Sequence, residues 1–345
     1  MIEWINEKMR LVKKACKDVG KDLEGCKVAI SFPLEYKTAV LIGELSKYCE
    51  VLVTPFSPAT TKEDAVSWLK ERGIDILDTS EVVEADYYLD CVAKIVREAH
   101  RIGRLDGVKG VIELTRSGLD YLEKLRVKKA IVIDSSFIKG VGENVYGTGL
   151  GLLDGLLRLN VNLIGKTAVV VGYGRVGKGC ATILRKFCRV IVVEIDPIRA
   201  FEASCEGYEV KEFKEALKEA DIVVTCAGRE RVVKDDHFDY VKNGCIIANM
   251  SAYPDEIVLP DGWRVKDLGF VKKFSRGERH FYVVAEREAV NLALGNGTPV
   301  EIMDRTFATV VYALRYLIKE DFSGLIPLPR EVDEMMCRIS LGNLL

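Results

Sequence analysis

Histidine is scarce in this chain of 345 residues, which contains only His100, His237 and His280. Because histidine is the side chain whose charge changes most readily near neutral pH, the chain has few groups for imidazole acid–base chemistry. No run of about 20 apolar residues occurs, so we predict no membrane-spanning helix and no membrane partner. The net charge of −2 gives no electrostatic reason to expect nucleic acid as a partner.

Cysteine occurs ten times but never as a C-x-x-C pair. Such pairs are typical of zinc and cluster sites, so we predict no metal centre. Most of the cysteines lie within apolar runs, where a reduced thiol acts as a small hydrophobic side chain. The N-terminus is charged and helical in pattern, which is unlike a signal peptide, and we therefore predict a cytoplasmic protein.

Strand and helix patterns alternate along the chain. In the first half, strands are predicted at 27–31, 50–54, 87–90, 110–113 and 129–133, and helices at 3–19, 37–45 and 62–72, the last capped by Thr61. In the second half, strands are predicted at 167–171, 189–194, 222–225 and 245–248, and helices at 150–159, 176–187, 197–204 and 301–318. This alternation predicts an α/β fold with parallel sheets and helices on both faces.

Two segments have the composition of hinges. Residues 135–149 are rich in Ser, Gly and Asn, and residues 292–299 contain two glycines and a proline. Two chain crossings predict a cleft that can close, with a ligand on one wall. The predicted domains are 1–145 with 300–345, and 146–299.

A glycine motif follows the strand predicted at 167–171. Gly172, Gly174 and Gly177 have G-x-G-x-x-G spacing and lead into a helix, and Glu194 ends the next strand. Glycines allow a tight turn and close approach of a pyrophosphate, and the helix N-terminus directs free N–H groups at it. An acid at this distance can accept hydrogen bonds from a ribose diol and repels a 2′-phosphate, which favours NAD over NADP. A structural glycine turn, or a crevice for another adenosyl ligand, is the alternative.

Several segments together resemble the S-adenosyl-L-homocysteine hydrolase (adenosylhomocysteinase) family. They include Lys37-Thr-Ala-Val-Leu-Ile, Asn144-Val-Tyr-Gly-Thr, Gly172-Tyr-Gly-Arg-Val-Gly-Lys-Gly-Cys, Glu194-Ile-Asp-Pro, Asp255-Glu-Ile, Val290-Asn-Leu-Ala and Leu328-Pro-Arg-Glu-Val-Asp-Glu. The resemblance implies two doubly wound parallel-sheet domains joined by two hinges, one a flavodoxin-like substrate-type domain and the other a Rossmann NAD domain. It also implies NAD as cofactor, a small-molecule substrate of adenosyl type, and a homo-oligomer.

The cofactor positions of the family are largely kept. The resemblance implies that Gly172, Gly174 and Gly177 form the phosphate turn and that Glu194 binds the ribose. The other residues implied to contact NAD are Asn144 and Asn291 near the nicotinamide, Thr225 and Gly228 on a strand-end loop, and Thr115 and Ser117 in a threonine-rich segment.

The substrate positions of the family mostly differ. The His-Met-Thr motif is replaced by Pro33-Leu-Glu, and Ala252 and Thr298 replace two histidines that contact substrate. An aspartate of the family's Asp-Asp-Gly-Gly segment corresponds to Cys91. The remaining histidines do not substitute for the missing ones, because His100 ends a helix, His237 matches a surface position and His280 lies in a polar turn.

Lys139 and Glu143 are the catalytic candidates that the resemblance leaves. Lys139 is the lysine that the family places next to the substrate 3′-hydroxyl, and Glu143 replaces an aspartate. Their spacing is also that of an ordinary salt bridge on a helix, although Gly140 and Gly142 argue against a helix here. Both interpretations stay open from the sequence.

We therefore predict an NAD-binding adenosylhomocysteinase-like enzyme that is not a working hydrolase and that oxidises or reduces a different small substrate in the cleft. Two alternatives remain. The first is an adenosylmethionine- or adenosylhomocysteine-binding transferase or sensor, and the second is a non-catalytic regulatory paralogue. The residues that would identify the substrate are those that differ from the family.

Overall fold

The computed structural model describes residues 1–78 and 84–342. The chain divides into two compact units, Met1–Glu143 with Val300–Leu345, and Asn144–Pro299. The chain leaves the first unit after Glu143 and returns to it at Val300. None of the described helices is long and apolar enough to span a membrane.

The strands are short, and most of them are buried. In chain order they are β1 Lys27–Ser31, β2 Glu50–Val53, β3 Tyr87–Asp90, β4 Gly110–Glu113, β5 Lys129–Val132, β6 Thr167–Val171, β7 Arg189–Val193, β8 Glu209–Val210, β9 Ile222–Thr225, β10 Ile246–Asn249, β11 Arg264–Asp267, β12 Val271–Arg276, β13 Arg279–Val284 and β14 Gly324–Pro327.

The helices alternate with these strands. In chain order they are α1 Ile2–Lys8, α2 Arg10–Leu23, α3 Tyr36–Leu45, α4 Glu63–Lys70, α5 Lys94–Arg101, α6 Arg116–Lys124, α7 Thr148–Arg158, α8 Arg175–Leu184, α9 Pro197–Cys205, α10 Phe213–Glu219, α11 Asp235–Phe238, α12 Val290–Ala293, α13 Val300–Lys319 and α14 Arg330–Leu341.

The first unit contains a parallel sheet with the order β14-β5-β4-β3-β1-β2. The order of β1 to β5 is that of flavodoxin-like folds, so the prediction for this domain is confirmed, with β14 added at one edge. Strands β3 and β4 are buried along their whole length. Continuous burial of this kind is typical of parallel strands covered on both faces.

The second unit contains a sheet with the order β11-β12-β13-β10-β9-β6-β7-β8. Six of these strands, in the order β8-β7-β6-β9-β10-β13, follow the Rossmann arrangement. The strand order reverses between β6 and β9. Alternate residues of β6 join separate apolar clusters: Val170 packs with Val192, and Val169 packs with Ile191. Both faces of this sheet are therefore buried against apolar side chains.

One edge of the second sheet is antiparallel, whereas the other strand pairs of this sheet are parallel, as predicted. Strand β12 pairs antiparallel with both β11 and β13. The turn between β12 and β13 has only two residues, Gly277 and Glu278, and Gly277 has a φ of +62°. A loop this short forces an antiparallel pairing, because parallel strands need a crossover of a dozen or more residues.

Two helix starts also differ from the prediction. The helix predicted at 3–19 is two helices, because the chain bends at Met9 and the Asp304 carboxylate accepts hydrogen bonds from the Leu11 and Val12 N–H groups at the start of α2. Thr61 does not cap α4, since its hydroxyl donates to the Ser57 carbonyl at 2.7 Å. The capping residue of α2 lies on distant α13, where a local sequence pattern could not indicate it.

Candidate functional site

The turn between β6 and α8 has the geometry of a phosphate-binding turn. Gly172 has a φ of +96°, which favours glycine, and its N–H donates to the Val193 carbonyl at 2.8 Å. A Cβ on Gly177 would lie 1.9 Å from the Gly172 oxygen, whereas a Cβ on Gly174 would meet nothing closer than 3.7 Å. The first and third glycines therefore allow close packing, and the second leaves room above a helix N-terminus that carries no side-chain cap.

The turn lies where the strand order reverses. A Cβ on Gly172 would lie 3.0 Å from the Cα of Ala227, in the loop that follows β9. The loops after β6 and β9 thus meet at the carboxyl edge of the sheet. In open α/β sheets, ligands bind in the crevice at this reversal point.

Glu194 lies at the end of β7 beside the glycine turn. Its carboxylate accepts hydrogen bonds from the N–H groups of Tyr173 at 2.6 Å, Ile195 at 2.8 Å and Asp196 at 2.9 Å. The carboxylate therefore also holds the turn itself. This second role was not predicted from the motif.

Replacement of Glu194 by alanine is expected to reduce the discrimination between NAD and NADP. The change removes the repulsion of a 2′-phosphate and the acceptor for the ribose, and it leaves the Tyr173 N–H without its partner. We expect NAD affinity to fall on the order of 10-fold to 100-fold, the usual effect of losing hydrogen bonds to a charged group. Titration with NAD and with NADP measures the ratio of the two affinities. A ratio equal to that of the parent would remove Glu194 from the ribose site.

Two buried asparagines belong to the same unit as this turn. The backbone oxygen of Asn144 would be 3.0 Å from a Cβ on Gly179 of α8. Asn291 lies on α12, against Gly151 of α7, and its Oδ1 is buried without a hydrogen-bond partner among the described residues. An orphaned amide of this kind fits a polar ligand group such as a carboxamide.

Thr225 and Gly228 are engaged within the protein. The Thr225 hydroxyl donates to Asn249 Oδ1 at 3.1 Å, and the Gly228 N–H donates to Glu256 Oε2 at 2.9 Å. Glu256 lies in the Asp255-Glu-Ile segment, and its hydrogen bond to this loop is not indicated by the sequence motif. A direct contact of Thr225 or Gly228 with the cofactor stays a prediction.

Buried acids line the carboxyl edge of the first sheet. Asp90 ends β3 and lies in register with Glu113, which ends β4. Glu113 accepts hydrogen bonds from the Val92 and Ala93 N–H groups and from the Thr115 hydroxyl. Val92 and Ala93 both have left-handed φ values, +57° and +50°, which are strained for residues other than glycine. Glu113 thus stabilises a strained turn.

Burial dominates the electrostatics of this edge. It raises the pKa of Asp90 and of Glu113, and the backbone N–H groups that the carboxylates accept from oppose that rise. The Cys91 thiol lies among these groups, and its pKa is raised first by burial and then by Glu113 and Asp90. A neutral buried thiol therefore occupies this position.

Lys139 and Glu143 form a buried ion pair. They lie on Ile138–Gly147, which is a π-helical segment that continues into α7, so the expectation that Gly140 and Gly142 prevent a helix is wrong. Helix α7 follows directly and provides formed helical turns, so the segment with Gly140 and Gly142 only has to extend an existing helix. Glu143 Oε2 is buried and has no hydrogen-bond partner among the described residues. The pair therefore has one unused acceptor.

Thr115 belongs to the first unit and caps α6. Its hydroxyl accepts a hydrogen bond from the Gly118 N–H at 3.2 Å and donates to Glu113 at 2.5 Å. Ser117 lies in the first turn of the same helix. Cofactor contacts of these two residues stay a prediction.

The histidines differ in part from expectation. His100 lies in the last turn of α5, as expected. His237 is buried rather than on the surface, with its ring 4.6 Å from that of Phe213 and its pKa lowered by burial. His280 lies on β13 opposite Ser275 and not in a turn. All three belong to elements away from the glycine turn in sequence.

The fold and the site define an α/β protein with a Rossmann dinucleotide-binding unit and a flavodoxin-like unit. The family model described as "S-adenosyl-L-homocysteine hydrolase, NAD binding domain" matches residues 144–297. The adenosylhomocysteinase of Thermococcus kodakarensis is 33% identical over 99% of this chain and 90% of its own length. The S-inosyl-L-homocysteine hydrolase of Methanopyrus kandleri is 32% identical over 100% of this chain and 90% of its own length. Among solved structures, a transhydrogenase from Sinorhizobium meliloti is 15% identical over 87% of this chain and 97% of that chain, with a TM-score of 0.43.

The chain belongs to the adenosylhomocysteinase family, and its cofactor is NAD. The resemblance in sequence is thus confirmed at the level of the family and the cofactor. Gly172, Gly174, Gly177 and Glu194 would hold the adenosine and pyrophosphate parts of NAD, and Asn291 has an amide group available for it.

Proposed function

We propose that this protein is an NAD-dependent enzyme that oxidises or reduces a small-molecule alcohol or ketone, with Lys139 as the proton-transfer group, and that it does not complete the hydrolase cycle. The observation that carries this proposal is the buried Lys139–Glu143 pair, whose Glu143 Oε2 is an unused acceptor. NAD, when bound, would supply the hydride acceptor for oxidation of an alcohol, and its reduced form would supply the hydride for reduction of a ketone.

The ion pair suits proton transfer at a hydroxyl group. Glu143 holds the Lys139 Nζ, and its second oxygen can accept a hydrogen bond from a substrate hydroxyl. Oxidation of that hydroxyl needs the neutral amine as base, and reduction of a ketone needs the ammonium as acid. We assign both roles to Lys139, whose Nζ is held in place by Glu143.

The later steps of the hydrolase cycle need further groups. Elimination of the thiolate, and addition of water to the double bond that this leaves, require a second base and an acid for the leaving thiolate. Ala252 and Thr298 cannot titrate near neutral pH, and Cys91 is held neutral by burial. Each missing acid or base typically lowers the rate by ~10²–10⁴-fold, and such losses do not simply multiply. We therefore propose that the reaction of this protein ends after the redox step.

The names of the relatives supply the first substrates to test, since they are an adenosylhomocysteinase and an S-inosyl-L-homocysteine hydrolase. The protein is purified, its bound ligand is released and identified by mass spectrometry, and the absorbance of reduced NAD is followed after adding each nucleoside or thioether. We expect bound NAD and its reduction by at least one hydroxyl compound without release of homocysteine.

Three outcomes contradict the proposal. Homocysteine release at the rate of a family hydrolase assayed in parallel would show an intact cycle. A released adenosyl sulfur compound in place of NAD would favour a transferase or sensor. A protein that takes up neither ligand, with no thermal shift, would favour a regulatory paralogue.

A further inference from the structure

Glu256 is a fully buried carboxylate in the second unit. It lies on the short turn Pro254–Glu256 after β10, with 0% of its surface exposed. Its Oε1 accepts a hydrogen bond from the Ala227 N–H at 2.8 Å, and its Oε2 accepts one from the Gly228 N–H at 2.9 Å. The Arg229 backbone also hydrogen-bonds this carboxylate. One side chain therefore holds consecutive amides of a single loop, residues 226–229.

The backbone around Glu256 strengthens this attachment. The Arg231 N–H donates to the Asp255 carbonyl at 2.8 Å, and the Val232 and Val233 N–H groups both donate to the Glu256 carbonyl at 2.9 Å. The Val258 N–H returns to the Val233 carbonyl at 2.8 Å. Loop 226–229 and the residues that follow it are thus both held by the segment that carries Glu256.

The segment carrying Glu256 is itself anchored by Asn249 at the end of β10. The Asn249 side-chain amide donates to the carbonyls of Ser251, Tyr253 and Arg287 at 2.6 to 3.2 Å. Asn249 Oδ1 accepts from the Ser251 N–H at 2.8 Å. Buried polar networks in which each group has a partner are rigid, so the position of Glu256 is well determined.

Loop 226–229 in turn packs against the glycine turn. A Cβ on Gly172 would lie 3.0 Å from Ala227 Cα, and a Cβ on Gly177 would lie 3.5 Å from Cys226 Cβ. These loops follow β6 and β9, between which the strand order reverses. Loop 226–229 is therefore one wall of the crevice in which a dinucleotide binds, and the glycine turn is the other.

We propose that Glu256 is a positioning residue for NAD: by holding the amides of loop 226–229 it sets the width of the crevice, and so the affinity for the dinucleotide, without contacting it. The two adjacent N–H groups of Ala227 and Gly228 each donate to a different oxygen of the Glu256 carboxylate. A glutamine provides one acceptor and presents an NH2 group to the other N–H. This inference concerns binding alone and does not depend on the reaction proposed above.

The test compares Glu256→Gln with the matched control Asp221→Asn. Asp221 accepts a hydrogen bond from the Thr167 N–H at 2.9 Å, at the opposite end of β6, and so holds backbone of the same unit away from the crevice. Binding of NAD and of AMP is titrated for each apoprotein, and each melting temperature is recorded. On this proposal AMP would occupy the Glu194 side of the crevice and would not need the β9 wall.

We expect Glu256→Gln to weaken NAD binding on the order of 10-fold to 100-fold, as for the loss of a hydrogen bond to a charged group, with AMP binding changed by less than about 3-fold. Asp221→Asn should leave both affinities unchanged. Should Glu256→Gln not fold, Glu256→Asp keeps two acceptor oxygens on a shorter side chain and is expected to show a smaller loss for NAD alone. NAD affinity equal to that of the parent, or equal losses for NAD and AMP, would overturn the proposal.

Discussion

Gly177→Ala is expected to abolish NAD binding and to lower stability. The added Cβ would lie 1.9 Å from the Gly172 oxygen and 2.8 Å from its carbonyl carbon. Both are backbone atoms, so the turn must open for the methyl group to fit. Overpacking of this kind typically destabilises a protein by about 1–3 kcal/mol, and here the displaced backbone is the phosphate turn itself. Calorimetric titration with NAD and thermal unfolding of the apoprotein measure the two effects.

Gly174→Ala is the matched control for the same turn. A Cβ at this position meets only Arg199, at 3.7 Å, and the backbone conformation is one that alanine adopts. We expect the stability of the apoprotein to stay within about 0.5 kcal/mol of the parent, as for other substitutions that make no clash. NAD affinity should still fall, because the methyl group projects where the pyrophosphate approaches. Normal NAD binding by Gly177→Ala would show that this turn does not bind the cofactor.

Lys139→Ala is expected to lower the rate of hydride transfer by ~10²–10⁴-fold, the usual effect of removing a general acid or base. NAD binding should persist, because the lysine belongs to the first unit and the glycine turn to the second. The variant also leaves the Glu143 carboxylate buried without its partner, which typically costs about 3–5 kcal/mol of stability. The rate is measured as single-turnover reduction of bound NAD by the hydroxyl compound that reduces NAD in the parent protein.

Lys139→Arg separates the loss of charge from the loss of the base. Arginine keeps a cation beside Glu143 and so preserves most of the stability, but it does not release its proton in a protein. We expect this variant to fold like the parent and to be as slow as Lys139→Ala. A parent-like rate in either variant would remove Lys139 from the reaction.

The geometry of the glycine turn could be predicted because its signals are local. Three glycines and Glu194 lie within one strand–helix–strand unit, and each glycine has a physical reason that the spacing alone conveys. The role of Glu256 could not be found in this way, since its carboxylate binds amides 28 and 29 residues earlier in the chain. A motif contains no information about which distant loop a buried acid will hold.

At the Lys139–Glu143 segment, local residue preferences suggested the wrong secondary structure. Its spacing predicted an ion pair, which the structure contains, but its glycines suggested a loop. Propensity is a weak guide where a segment adjoins a stable helix, because nucleation has already taken place there. The antiparallel pairing of β12 and β13 is not indicated by the alternation of strands and helices, because it depends on the two-residue turn at Gly277.

In both units, a buried glutamate holds the loop that follows a strand. Glu113 binds the amides of Val92 and Ala93, and Glu256 binds those of Ala227 and Gly228. Proton transfer to either carboxylate would weaken the hydrogen bonds that hold its loop, because a neutral carboxyl group is a poorer acceptor for backbone N–H groups than a carboxylate. Any group that takes over the work of the absent imidazoles must therefore come from elsewhere than the most deeply buried carboxylates of the chain.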